Sequence, residues 1–200
     1  MTARRPHILG LGGATRPASS TERFLSLALG AAAEAGATTT LLSAEALQLP
    51  LYEQGHARCE AAQRLVAEVR RADGIILASP AYHGTVSGLV KNALDYVEET
   101  RADARPYFSD RAIGCLAVAG GWQAAVGTMN ALRGIAHALR GWPTPLGVAI
   151  HAGDAPLDAQ GACASLPVTA QIQTMARQVV AFARQLAAQA EEEAPDRLAA

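Results

Sequence analysis

His7-Ile8-Leu9-Gly10-Leu11-Gly12-Gly13-Ala14-Thr15-Arg16-Pro17-Ala18-Ser19-Ser20-Thr21 reads as a strand, a glycine-rich turn and a helix start in a single run. His7 to Gly12 is apolar with little polar alternation, as in a parallel strand covered on both faces. The glycines then let the chain turn sharply, and a helical pattern follows from Ser20 to Ala35. One βα unit of this kind buries nothing alone, so the question is whether the unit recurs.

It recurs along the chain. Further strands are expected at Thr38 to Ser43, Gly74 to Ser79, Ala112 to Ala119 and Leu146 to His151. The three threonines of Thr38 to Thr40 suit a half-exposed edge; the others suit a buried sheet. Helices are expected at Cys59 to Ala72 and Gln123 to Arg140. Val86, Leu89, Val90, Ala93, Leu94 and Val97 keep the spacing of one helix face, as do Val168, Ile172, Met175, Val179, Phe182 and Leu186. Five βα units with right-handed crossovers make a three-layer α/β fold with a doubly wound, five-stranded parallel sheet.

Two hundred residues, 50% of them hydrophobic, bury one core, which places a single domain at residues 1–190. The charged, alanine-rich end from Glu191 to Ala200 reads as a frayed tail. A net charge of −1 without a basic run gives no footprint for nucleic acid or an anionic membrane. Three widely spaced cysteines, Cys59, Cys115 and Cys163, fit a reducing compartment rather than a disulfide framework. Ile8 to Leu11 is too short for a signal or membrane segment, so a cytoplasmic location is expected.

In doubly wound sheets ligands sit beyond the carboxyl ends of the strands, where the strand order reverses. The loop after the first strand offers glycines, a hydroxyl cluster and the free N–H groups of a helix start, the makings of an anion site. Arg16 adds a guanidinium fork suited to phosphate oxygens. The dinucleotide fingerprint fails here: Gly10-x-Gly12-x-x-Thr15 lacks its third glycine, and Ser43 rather than an acid ends the second strand. No Gly-Lys-Ser/Thr occurs either. Ser19-x-x-Glu22 is also a capping box, which accounts for Ser19 without any ligand. Ser20 and Thr21 share that ambiguity.

The loop after the third strand reads Ser79-Pro80-Ala81-Tyr82-His83-Gly84-Thr85-Val86-Ser87-Gly88-Leu89-Val90-Lys91-Asn92-Ala93-Leu94-Asp95. Together with Gly13 to Ser19 it resembles the NAD(P)H-dependent FMN reductase family, whose patterns are Gly-Ser-x-Arg-x-x-Ser and Ser-Pro-x-Tyr-x-x-x-x-x-Gly-x-Leu-Lys-Asn-x-Leu-Asp. Two positions depart, Ala14 for serine and Val90 for leucine. Val86 stands where sulfonate-linked members insert a tyrosine before the Ser-Gly pair. The resemblance implies a flavodoxin-like sheet of order 2-1-3-4-5. It implies FMN held at Thr15, Arg16, Ser19, Ser20 and Thr21 through its phosphate and bordered at its ring by Pro80, Ala81, Tyr82, His83 and Gly84. It also implies NAD(P)H as co-substrate and a homodimer or homotetramer. The Gly120-Gly121 pair after the fourth strand matches the family's glycine pair, and the resemblance brings this loop, with Trp122, to the flavin ring.

Bland readings stand beside these. Tyr82 also suits a partly buried core aromatic, His83 an exposed loop histidine, and Trp122 a subunit interface. Lys91 and Asp95, four apart on a helix, read as an ion pair rather than as catalytic groups. No nucleophile, acid–base pair or metal cluster is visible, which suits a protein whose cofactor carries the chemistry. The expected activity is hydride transfer from NAD(P)H through FMN to a quinone, azo compound, metal oxyanion or free flavin. The alternatives are a flavodoxin-type electron carrier, which would bind FMN but stay oxidised with NADPH, and a non-catalytic scaffold.

Overall fold

The computed structural model describes residues 4–197, with side chains described through residue 189. Its strands are β1 (His7–Gly12), β2 (Thr38–Leu42), β3 (Gly74–Tyr82), β4 (Thr85–Val86), β5 (Ala112–Ala119), β6 (Trp142–Pro143) and β7 (Val148–His151). Its helices are α1 (Ser20–Glu34), α2 (Glu60–Arg71), α3 (Gly88–Asp95), α4 (Trp122–Ala138) and α5 (Leu166–Arg197). A 3₁₀ segment at Tyr96–Thr100 continues α3. Of the tail expected at 191–200, residues 191–197 continue α5 and 198–200 lie outside the described residues.

The parallel strands run in the order β2-β1-β3-β5, and the next position is shared by β6 and β7. That is the expected 2-1-3-4-5 topology, but the expectation of five strands is corrected to seven. The outermost strand is broken: Trp142 and Pro143 pair with Ala112 and Ile113, then Val148 to His151 pair with Leu116 to Ala119. Thr144 Oγ1 donates to the Leu146 carbonyl at 2.9 Å inside the gap. The seventh strand arises because β3 outruns its expected end at Ser79 and turns back on itself as β4.

Alternation along the strands sends successive side chains to opposite faces. Ile8, Ile76, Leu116 and Ile150 face Phe24, Leu25 and Leu29 of α1 and Met175 and Val179 of α5. Leu9, Leu11, Ile75, Leu77 and Ile113 face Leu65 and Val69 of α2, Val90 and Leu94 of α3 and Leu132 of α4. The sheet is therefore covered on both sides, as its unbroken apolar strands require. The order reverses between β1 and β3, which leaves a crevice at their carboxyl ends.

Candidate functional site

β1 ends at Gly12, whose φ of +145° excludes other residues and whose missing side chain lets the loop pass against the Ala78 carbonyl of β3. Gly13 N–H then donates to that same carbonyl at 3.1 Å. The loop enters α1 through Ala18 in the left-handed region, at φ +53°. Ser19 caps the helix, its hydroxyl accepting from the Glu22 N–H at 3.3 Å. The Glu22 carboxylate accepts from Ala18 N–H at 3.3 Å and from the Ser43 hydroxyl at 2.6 Å. The capping reading of Ser19 accounts for its oxygen, and the residue also borders the cavity described below. The N–H groups of Ser20 and Thr21, which a helix start cannot bond internally, stay available to a ligand. Arg16 is exposed, with no carboxylate partner among the described residues.

In the second loop the chain pairs Tyr82 with Thr85 across a two-residue turn, His83-Gly84. Their φ values of +50° and +91° are those of a type I′ hairpin, whose twist matches the strands it joins. Buried Ser79 fastens the hairpin from behind, donating to the Pro80 carbonyl at 2.8 Å and accepting from Ser87 N–H at 2.9 Å. Ser87 in turn caps α3 through Val90 N–H. Lys91 and Asp95 form the expected exposed pair at 2.5 Å. They take no part in the cavity.

The third loop leaves β5 at Ala119. A Cβ at Gly120 or Gly121 would meet nothing within 4 Å, so this wall stands unpacked. Trp122 opens α4, 51% exposed, and stacks on His151 with ring centroids 5.9 Å apart.

The three loops enclose a cavity of about 370 Å³ lined by Ala14, Thr15, Arg16, Ser19, Ser20, Thr21, Pro80, Ala81, Tyr82, Val118, Ala119, Gly120 and Ala152. Nine of the thirteen expected site residues thus meet in one place. His83, Gly84, Gly121 and Trp122 do not line it. The hairpin turns the first two outward, while Gly121 and Trp122 belong to the start of α4. Ala14, Val118, Ala119 and Ala152 are the walls that sequence reasoning missed, because small apolar residues carry no chemical signature. Only the rule that ligands gather at strand ends pointed to them. A groove of equal volume between α1 and α5, bordered by Arg23, Leu27, Gly30 and Ile172, lies away from those ends.

Chemically the cavity is two-sided. One end offers a guanidinium, hydroxyls and free helix N–H groups, which together suit a phosphate. The other offers the flat, 52% exposed Tyr82, the stiff Pro80 and open backbone at Gly120, which suit a planar ring. The residues present therefore fit FMN.

Comparison with known proteins agrees with this geometry. The family model described as NADPH-dependent FMN reductase matches residues 6–155. An NADPH azoreductase of Bacillus sp. (strain OY1-2) is 36% identical over 87 residues, covering 42% of this chain and 46% of that protein. An FMN-dependent NADPH-azoreductase of Staphylococcus saprophyticus is 36% identical over 92 residues, 46% of this chain and 45% of that protein. The matched stretch thus spans under half the length of either relative. In fold, the chain is similar to the flavoenzyme NAD(P)H:(acceptor) oxidoreductase FerB from Paracoccus denitrificans, with TM-score 0.74 and 17% identity. That match covers 90% of this chain and 98% of the other. A family match running from β1 past β7 takes in all three loops of the cavity, and the chain belongs to the NADPH-dependent FMN reductase family.

Proposed function

We propose that the protein is an FMN-dependent oxidoreductase that passes reducing equivalents from NAD(P)H to a small-molecule acceptor at the three-loop cavity. The carrying observation is the meeting of Arg16 and the α1 start with Tyr82 and the Gly120 backbone around one space of about 370 Å³. FMN supplies the hydride chemistry when bound. Arg16 and the N–H groups of Ser20 and Thr21 hold its phosphate. Pro80, Ala81 and Tyr82 flank the ring and keep water from one side of it. Among the described residues no carboxylate and no histidine lines the cavity, and the chain's share of the work in this reading is binding and orientation. The azoreductase relatives favour an azo compound among the four acceptor classes.

The reading extends to one domain at residues 1–190, acting as a homodimer or homotetramer in the cytoplasm. Three unpaired cysteines support that compartment, with Cys59 exposed. Among the described residues no helix is long and apolar enough to cross a membrane. The test is an anaerobic titration of FMN-loaded protein with NADPH and, separately, NADH. Bleaching of the flavin absorbance, followed by recovery on adding a quinone or azo dye, is the expected result. Protein that holds FMN but stays oxidised is an electron carrier instead, and protein that takes up none is neither.

A further inference from the structure

His151 ends β7, outside the cavity lining, its side chain 26% exposed and partnered elsewhere. Trp122 covers one face, the two rings inclined by 28°. Its Nε2 lies 3.0 Å from the Gly120 carbonyl, which can only accept, so this nitrogen donates. Its Nδ1 is shut off from solvent and faces the Asp154 carboxylate at 3.0 Å, off the line of a hydrogen bond. Gly153 closes the edge, where a Cβ would lie 3.0 Å from Cε1. The glycines themselves carry no side chain that could fix the turn: a Cβ at Gly120 or Gly121 would meet nothing within 4 Å, and Gly121 is tied through its carbonyl, which accepts from Ala125 N–H at 3.0 Å.

We propose that His151 is the positioning residue of the cavity's third wall: by donating to Gly120 and stacking under Trp122 it fixes where the glycine backbone meets the bound ring. The inference rests on the proposed FMN site but concerns a residue outside its lining. Ala119 pairs with His151 across the sheet, and Gly120 and the adjoining Ala152 both face the cavity. A shift of the imidazole therefore moves two sides of the cavity together. With glycines alone the loop would sample many backbone states, and ordering it on binding would cost affinity.

The chain has two tryptophans, so Trp142→Phe leaves Trp122 as the sole reporter. In that background Trp122 is expected to tumble with the whole protein in time-resolved fluorescence anisotropy. Adding His151→Ala should introduce a fast local component. The FMN dissociation constant of His151→Ala should rise about tenfold, the loss of one good hydrogen bond and its ordering. His151→Gln, which keeps an N–H donor, should recover most of that affinity. Gly153→Ala displaces the ring without removing it and should weaken FMN in the same direction, which covers the case where His151→Ala folds poorly. Unchanged FMN affinity in both His151→Ala and Gly153→Ala, or Trp122 motion indifferent to His151→Ala, overturns the inference. Wild-type protein that takes up no FMN overturns the reading of the site instead, and the anisotropy still decides the strut.

Discussion

Arg16 stands exposed at the first loop with no carboxylate partner among the described residues, so removing it disturbs no interaction that the fold relies on. Arg16→Ala should leave the thermal midpoint unchanged while weakening FMN by roughly tenfold to a hundredfold, the worth of one charge-assisted contact to phosphate. Riboflavin, which lacks the phosphate, serves as the internal control: its affinity should be the same in both proteins. Equal weakening of both ligands would move Arg16 away from the phosphate. His7 is a residue of the opposite kind, remote from the site and buried at the amino end of β1. Burial, with the Arg71 guanidinium beside it, holds its pKa below the ordinary 6.5, outweighing the pull of the Glu68 carboxylate 3.3 Å away. The unfolded chain therefore takes up the proton first as pH falls. The stabilisation that this depressed pKa contributes is present above about 6.5 and is lost as pH falls from there through the lower value of the folded state. Between about pH 7.5 and 5 the wild-type thermal midpoint should fall more steeply than that of His7→Asn. Parallel curves would mean that the imidazole is as easily protonated folded as unfolded.

At the scale of elements the β3–β4 hairpin carries the clearest conflict between sequence and conformation. A type I′ turn asks for positive φ at both central residues, which Gly84 meets freely and His83 meets at φ +50° against its own side chain. Asparagine tolerates that region better, so His83→Asn should stabilise the protein by about 0.5–1 kcal/mol, read from the urea midpoint. Because the turn carries His83 outside the cavity lining, FMN affinity should not change. A loss of affinity despite the gain in stability would show that the imidazole reaches the ligand. This hairpin also marks where the sequence stopped being legible. Strands such as β1 and β5 were readable because both faces are buried and the apolar run is continuous. β4 and β6 are two residues each, and no periodicity can show in two residues. The helix expected from Val86 to Val97 begins only at Gly88, since Val86 belongs to the hairpin and Ser87 caps. In the site, charged and aromatic candidates such as Arg16 and Tyr82 are legible, and the spacing Ser19-x-x-Glu22 marks the cap while leaving a ligand role for Ser19 open. Val118 and Ala152 are not, because their place at the cavity depends on the register of β5 against β3 and β7.

For the whole molecule, the cavity and the centre of the sheet form one structural unit, and a cysteine reports on it. Cys115 lies in the middle of β5, paired at Leu77 on one side and next to the Leu116–Val148 pair on the other. Burial pushes its thiol up to about 12, so at neutral pH the folded protein offers almost no thiolate to a reagent. Labelling must wait for an opening that lifts α4, with Leu132 and Ala136, from the sheet face on which Cys115 lies. The same opening displaces the turn that joins β5 to α4, whose Gly120 lines the cavity beside Pro80 of β3, Ala119 of β5 and Ala152 of the loop after β7. A state in which Cys115 reacts has thus lost the cavity's third wall and should hold the ligand far less tightly. Binding to the closed form alone stabilises it by RT ln(1 + [L]/Kd), about 2.7 kcal/mol at a hundredfold excess over Kd. FMN at that level should therefore slow labelling of Cys115 about a hundredfold, while exposed Cys59 at the start of α2 reacts at once with or without it. Mass spectrometry of the labelled peptides separates the two sites. A Cys115 rate indifferent to FMN would show that α4 lifts without disturbing the cavity, and that the site and the core of the sheet are energetically separate.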